Sequence, residues 1–167
     1  ELVKSSDSGT ATHIFMQFCS FEGLLQNGAS AELERLVREG FISRSTSELV
    51  NTYHLEKFRK SALLDELLRA KDIKREFRFN IMLDASEFTD DTSLKDEKIL
   101  VQGVIDCLYE NDKGEVVLVD YKTDFVTEDD CEKTLKERHS LQLSYYKRAI
   151  ELMLERPLSK TLIYSVP

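Results

Sequence analysis

The stretch Gly103-Val104-Ile105-Asp106-Cys107-Leu108-Tyr109-Glu110-Asn111-Asp112-Lys113-Gly114-Glu115-Val116-Val117-Leu118-Val119-Asp120-Tyr121-Lys122-Thr123 decides how the chain folds. With the residues just before it, it holds two β-rich runs, 99–109 and 115–123. They are joined by Asn111-Asp112-Lys113-Gly114, a strong turn signal, so the two runs predict an antiparallel hairpin. Asp120 and Lys122 stand two residues apart, and a strand's period of two puts both side chains on one face. A turn centred near residue 113 sets Asp106 opposite Asp120 to within one residue.

Two carboxylates therefore converge beside one ammonium. Like charges directly across a sheet repel unless a cation lies between them. Both aspartates sit inside apolar runs, Val104-Ile105-Asp106-Cys107-Leu108 and Val116-Val117-Leu118-Val119-Asp120, so both are expected to be partly buried. Unpaired buried charge is costly, and a hard divalent ion such as magnesium would relieve it. Lys122 would then stand where it can orient a water or stabilise charge growing on a phosphate. A surface Asp-x-Lys on an edge strand is common, and it is the apolar setting that separates this one from a solvated pair.

Outward from the hairpin, the first 70 residues read as mostly helical. Ala11, Ile14, Phe15, Phe18 and Cys19 recur at helical spacing, which predicts one amphipathic helix over 11–25 with His13 at the margin of its apolar stripe. A second helix is expected over 31–38, ended by Gly40, and Ser45 with Glu48 reads as a capping box for a short third. Residues 55–70 supply one or two more. Phe77, Phe79, Ile81 and Leu83 then alternate with other residues, predicting a strand over 73–83. Residues 84–97 carry Asp84, Glu87, Asp90, Asp91, Asp96 and Glu97 and read as an exposed acidic loop. After the hairpin, Thr127 with Asp130 can cap a helix, 138–155 carries a helical pattern that stops before Pro157, and 162–166 closes as a fourth strand. The fold class expected is mixed α/β.

At 167 residues the chain is long enough for one sizeable core, so a single domain over 1–167 is expected. Its apolar runs fall far short of the roughly 20 residues needed to cross a bilayer, and no secretory leader pattern opens it. A cytoplasmic location and no membrane partner are the expectations. The polar start at Lys4-Ser5-Ser6-Asp7-Ser8-Gly9, without an initiator Met, suggests a piece of a larger protein. Three scattered cysteines, Cys19, Cys107 and Cys131, fit reduced thiols and form no CxxC pair, which disfavours zinc and iron–sulfur clusters. A net charge of −8 weighs against a large basic surface for nucleic acid. A metal site needs carboxylates, however, and a domain to which a larger neighbour delivers substrate need not grip DNA alone.

Gly103-Val104-Ile105-Asp106 followed by Val119-Asp120-Tyr121-Lys122-Thr123 resembles the G-x-x-D and D-Y-K-T signatures of RecB-type nucleases within the PD-(D/E)xK superfamily. Upstream, Gly9-Thr10-Ala11-Thr12-His13 is similar to the family's helix-borne histidine. Downstream, Gln142-Leu143-Ser144-Tyr145-Tyr146 is similar to its Q-x-x-x-Y helix. Four motifs in the family's order span almost the whole chain. The superfamily's Pro-Asp is Ile105-Asp106 here and its Glu is Asp120, as is usual in the RecB branch.

The resemblance implies a restriction-endonuclease-like core of helix, three-stranded antiparallel sheet, helix and fourth strand, with extra N-terminal helices. It implies a metal, Mg²⁺ or Mn²⁺, held by His13, Asp106, Asp120 and the backbone carbonyl of Tyr121. Lys122 becomes the catalytic lysine, and Gln142 and Tyr146, four apart on one helical face, line the DNA path and support the site. Asp106 and Asp120 thus serve both metal and chemistry. The likeness is nearest to the carboxy-terminal nuclease domains of bacterial helicase/nuclease A subunits. That implies an exonuclease module in double-strand break repair and recombination, with DNA, the parent helicase domains and a second helicase–nuclease subunit of the AddB/RexB type as partners. No GxxxxGK[ST] occurs in these residues, so ATP binding would belong to the parent.

Other residues carry weaker signals. Glu76, at a strand edge, is a weak candidate beside the metal, and Lys133, Lys136, Arg138, Lys147 and Arg148 are the basic residues nearest Gln142 in sequence. His54 and His139 have no motif around them. Two other functions fit the same pattern: a non-catalytic DNA-binding or scaffolding module that keeps the fold, and a stand-alone nuclease of the superfamily. Retention of Asp106, Asp120 and Lys122 argues against the first, and the abrupt polar start against the second.

Overall fold

Six helices precede the first strand in the computed structural model, which describes residues 2–87, 91–123 and 131–166. They are α1 (Leu2–Phe18), α2 (Phe21–Asn27), α3 (Ala29–Arg38), α4 (Arg44–Ser47), α5 (Thr52–Arg59) and α6 (Ala62–Arg69). Strand β1 (Lys71–Asp84), the hairpin strands β2 (Lys98–Glu110) and β3 (Val116–Lys122), helix α7 (Cys131–Leu154) and strand β4 (Lys160–Ser165) follow. The sheet runs in the order β1-β2-β3-β4. Its first three strands are antiparallel and β4 lies parallel to β3. This is the mixed α/β core that the sequence predicts. No helix among the described residues is long and apolar enough to cross a membrane.

The hairpin forms for the reason read from its turn. Asn111 accepts the N–H groups of Lys113 and Glu115 through its side chain, each at 3.0 Å, and Gly114 takes a left-handed φ of 78°. Cys107 pairs with Val119 and Leu108 with Leu118, so the register continues to Asp106 opposite Asp120.

The helical half departs from expectation in its breaks. The single helix expected over 11–25 is two, because Ser20 caps α2 by accepting the Gly23 N–H at 3.0 Å. Glu32 accepts the N–H of Ser20 itself at 2.6 Å, and Arg75 of β1 donates to the carbonyl of Cys19 at 2.5 Å. Phe18, assigned to the apolar stripe, is 38% exposed and stacks on Phe41. The capping box at Ser45 is displaced: Ser43 is the N-cap of α4, accepting the Thr46 N–H, and Ser45 lies inside the helix. Residues 55–70 form two helices divided at Ser61, which caps α6 by accepting the Leu64 N–H.

Elsewhere the elements are longer than expected: α3 starts at Ala29, β1 at Lys71 and α7 at Cys131. The acidic segment is partly ordered. Asp84 ends β1 with an ion pair to Lys98 at 2.6 Å, and short 3₁₀ turns occupy Ala85–Glu87 and Thr92–Leu94. The cap expected at Thr127 and Asp130 lies outside the described residues.

Two apolar layers cover the sheet. Cys107, Tyr109, Val117, Val119 and Tyr121 pack with Phe15, Leu55, Phe58 and Leu64 of the N-terminal helices. Leu108, Val116 and Leu118 pack with Ala149 and Ile150 of α7 on the other side. Ile105 has the parity of Cys107 yet belongs to the α7 layer, together with Phe79. The alternation therefore changes sides around Asp106. Across from it Glu76 adopts a left-handed φ of 49°, a conformation that non-glycine residues in a strand rarely take.

Candidate metal centre and catalytic hairpin

Helix α1 brings His13 to the hairpin. Four residues earlier, on the same helical face, Gly9 lies so close to Thr123 that a Cβ there would fall 2.7 Å from its Oγ1. The missing side chain lets α1 lie against the end of β3. His13 Nδ1 then stands 3.2 Å from Asp106 Oδ1, and Asp106 Oδ2 accepts the backbone N–H of Tyr121 at 2.7 Å. That carboxylate, placed where the strand alternation changes sides, ties α1, β2 and β3 together. The Tyr121 side chain is buried among the helices, edge-on to Phe58, so only its backbone is offered to the site.

Glu76 completes the group. Ligand atoms of His13, Glu76 and Asp106 all lie within 4.8 Å of one another, a set that could hold a metal ion. In the sequence Glu76 is only a weak candidate, because the loop between β1 and β2 is too long to set their register. The pairs Arg75↔Cys107 and Phe77↔Ile105 place Glu76 level with Asp106. Charge is concentrated here. Hydrogen bonding to Asp106 raises the pKa of His13 above the usual imidazole value, against the opposing effect of burial. Burial, reinforced by Asp106, raises that of Glu76 above the usual carboxyl value.

Asp120 is the more buried aspartate, 4% exposed, and its Oδ2 lies 2.9 Å from Lys122 Nζ. The two side chains share a face, as their spacing requires. Lys122 Nζ also donates to Gln142 Oε1 at 3.3 Å, and Gln142 Nε2 donates to Tyr146 Oη at 2.8 Å. Gln142 and Tyr146 do sit one turn apart on α7, and together they brace the lysine from the helix side. The Tyr146 ring meets Phe79 edge-on at 5.4 Å.

The G of the G-x-x-D motif has a packing reason. A Cβ on Gly103 would fall 2.6 Å from ring carbons of Phe79 and 2.8 Å from Tyr146. Gly103→Ala must therefore push both rings away, and overpacking of this kind typically costs about 1–3 kcal/mol. We expect a lower denaturation midpoint of that size, with a further loss of any activity that depends on Lys122, because Tyr146 holds Gln142. Urea titration alongside activity at a temperature where the variant is folded checks both parts.

All six predicted side chains, His13, Asp106, Asp120, Lys122, Gln142 and Tyr146, are thus gathered at one end of the hairpin with the backbone of Tyr121. They form two linked groups: His13, Glu76 and Asp106, and Asp120, Lys122, Gln142 and Tyr146. Sequence reasoning misses Arg75. Its guanidinium reaches the carbonyls of Met16, Gln17 and Cys19 at 3.3, 3.2 and 2.5 Å and covers the Phe21 ring at 3.7 Å. It thereby anchors the end of the helix that carries His13. No local sequence signal marks it, since its partners lie more than fifty residues away.

The basic residues assigned to phosphate contacts do not form a free row. Lys147 pairs with Glu151 at 3.9 Å and Arg148 with Glu87 at 2.9 Å. The side chains of Lys133, Lys136, Arg138 and His139 lie outside the described residues. His54 sits edge-on to the neighbouring Tyr53 ring in α5.

Residues 1–165 match the PD-(D/E)XK nuclease superfamily. The chain is 32% identical over 166 residues to the ATP-dependent helicase/nuclease A subunit of Clostridium botulinum strain 657, covering 97% of this chain and 13% of that protein. It is 34% identical over 164 residues to the protein of that name from Oceanobacillus iheyensis, covering 95% of this chain and 13% of the relative. The corresponding figures for Acetivibrio thermocellus are 32% over 162 residues, 95% and 12%. The chain thus spans only about an eighth of the length of these relatives. With the family's motif residues gathered at one end of a mixed sheet, and a match that runs almost from end to end, the chain belongs to the PD-(D/E)XK nuclease superfamily.

Proposed function

We propose that this chain is a metal-dependent deoxyribonuclease that hydrolyses phosphodiester bonds as the nuclease module of a larger helicase–nuclease. One observation carries the reading: an imidazole and two carboxylates within 4.8 Å of one another adjoin a buried Asp–Lys pair. Oxygen-rich donor sets with one imidazole suit hard divalent cations, so the residues fit Mg²⁺, with Mn²⁺ as a substitute. His13, Asp106, Asp120 and the Tyr121 carbonyl would hold the ion, with Glu76 beside them. When bound, such an ion polarises a phosphoryl oxygen and lowers the pKa of a coordinated water.

The chain's own groups do the rest. Lys122 places a positive charge next to Asp120, where charge develops on the phosphate, and Gln142 with Tyr146 fixes its direction. Asp106, held by the Tyr121 N–H, keeps β2 and β3 in register at the site. The left-handed backbone at Glu76 aims a third acidic side chain at the same point. Strained backbone at such a place suits a functional constraint better than packing, since no apolar contact requires it.

The relatives' shared name suggests the setting: an exonuclease working with helicase domains of its own polypeptide and with a second subunit of the AddB/RexB type, in double-strand break repair and recombination. A cytoplasmic location accompanies that setting. The test is cleavage of end-labelled single-stranded DNA with Mg²⁺, with Mn²⁺ and with EDTA, by the native chain and by Asp120→Ala. Metal-dependent shortening that Asp120→Ala abolishes supports the reading. Cleavage that survives EDTA, or that Asp120→Ala leaves intact, overturns it.

A further inference from the structure

Beyond residue 76, β1 and β2 form a long ribbon whose register gives the rungs Arg78↔Val104, Asn80↔Gln102, Met82↔Leu100 and Asp84↔Lys98. Successive residues of a strand point to opposite faces, so these rungs share one face. Continued by one step, the same register brings Glu76 level with Asp106, the acidic pair of the candidate metal centre. Arg78 is close enough to Glu76 to favour its charged form. The other face of the ribbon is accounted for, since Phe77, Phe79, Ile81 and Val101 pack toward α7. This face is open. Arg78, Asn80 and Gln102 are exposed, and Met82 and Leu100 are 55% and 51% exposed although they stand directly across from each other.

The order of chemistry along the face is specific. Next to the acidic pair comes a guanidinium, then two facing carboxamides, then an apolar pair, and an ion pair closes the ribbon. A shallow trough of 440 Å³ lies between the first two rungs, lined by Arg78, Asn80, Gln102 and Val104 over the floor of Phe79 and Gly103. None of its lining residues is acidic, in a chain whose net charge is −8. Rungs two residues apart are separated by about 6.8 Å, room for one flat base or one phosphate. From Glu76 to Met82 the face runs for about 20 Å, several nucleotides of a single strand.

We infer that this ribbon face is the track of the single DNA strand that enters the site, an inference that rests on the nuclease reading proposed above. Arg78 contacts the phosphate next to the scissile one. Asn80 and Gln102, each with donors and an acceptor, bond to the backbone or to base edges without selecting one base. Met82 and Leu100 supply an apolar platform for a base, in the role that aromatic rings play elsewhere.

The test is a titration of the isotopically labelled native chain with oligothymidylate in the absence of divalent metal, followed by the side-chain N–H signals of Arg78, Asn80 and Gln102. Those signals should shift together. Arg78→Ala and the double change Asn80→Ala with Gln102→Ala should each raise the dissociation constant about fivefold or more, and Arg78→Ala should lower the salt slope by about one. These residues are exposed, so unchanged thermal midpoints verify that folding is not the cause. Asp120→Ala should bind like the native chain, which separates the two readings: cleavage by Asp120→Ala sinks the nuclease site, not the track. Signals that do not move, or variants that bind as the native chain does, overturn the track. So do variants that bind DNA normally but fail to associate with the remainder of a full-length relative, because the face would then be a protein interface.

Discussion

Lys122→Ala is expected to lower DNA cleavage about a thousandfold while leaving the chain folded and able to bind Mg²⁺. Removal of a single preorganised charge-stabilising group at a reacting centre typically costs about 10²–10³ in rate. Here the side chain is largely buried, with its Nζ 2.9 Å from Asp120 and 3.3 Å from Gln142, so no mobile surface cation can replace it. Loss of the ammonium also removes the partner of a carboxylate that is 4% exposed, which pushes the effect toward the upper end of that range. Gln142→Leu should be milder, about tenfold or more, because it loosens the lysine without removing it. Single-turnover cleavage, with circular dichroism and Mg²⁺ calorimetry on the same samples, separates loss of chemistry from loss of fold or metal.

Glu32→Ala is expected to destabilise the fold by about 3 kcal/mol, the lower end of the range for breaking a buried ion pair. Glu32 is 2% exposed and accepts from the Ser20 N–H at 2.6 Å and from Arg35 Nη2 at 2.5 Å. Its removal orphans a backbone donor at the α1–α2 break and leaves Arg35 to the exposed Glu39 and the Phe18 carbonyl. Glu39→Ala, which removes the exposed partner of the same arginine, should cost less than about 1 kcal/mol. Chemical denaturation of both variants checks the contrast. Because the break lies at the end of the helix that carries His13, the same Glu32 substitution should weaken metal binding in the fraction that remains folded.

Much of the fold was legible in the sequence where local chemistry decides it. The Asn111 to Gly114 turn set the hairpin register, and that register set Asp106 opposite Asp120. The alternation at Phe77, Phe79, Ile81 and Leu83 marked β1, and Pro157 marked the end of α7's pattern. What was not legible depends on partners distant in the chain. The break between α1 and α2 depends on Glu32 and Arg75, whose side chains reach it from a different helix and a strand. The displaced cap at Ser43 is a choice among several serines and a threonine that local spacing alone does not resolve. For the candidate site, the motif residues were legible because period two and the helical turn group them. Glu76 was underrated because its place beside Asp106 depends on a register that the long acidic segment does not fix. The change of sides around Asp106 was invisible to a strict alternation, which predicts that Ile105 and Cys107 face one layer.

Everything proposed for the site requires that one end of the hairpin hold a divalent cation. Calorimetric titration of the native chain and of Asp106→Ala with Mg²⁺, and with Mn²⁺ as the tighter probe, tests this most directly. Asp106 joins His13, Glu76 and the backbone of Tyr121 at one carboxylate. Saturable binding by the native chain is expected, tighter for Mn²⁺ in keeping with the imidazole ligand, with its loss in a folded Asp106→Ala. Native protein that binds neither ion, or Asp106→Ala that binds them unchanged, would contradict a metal centre at this place.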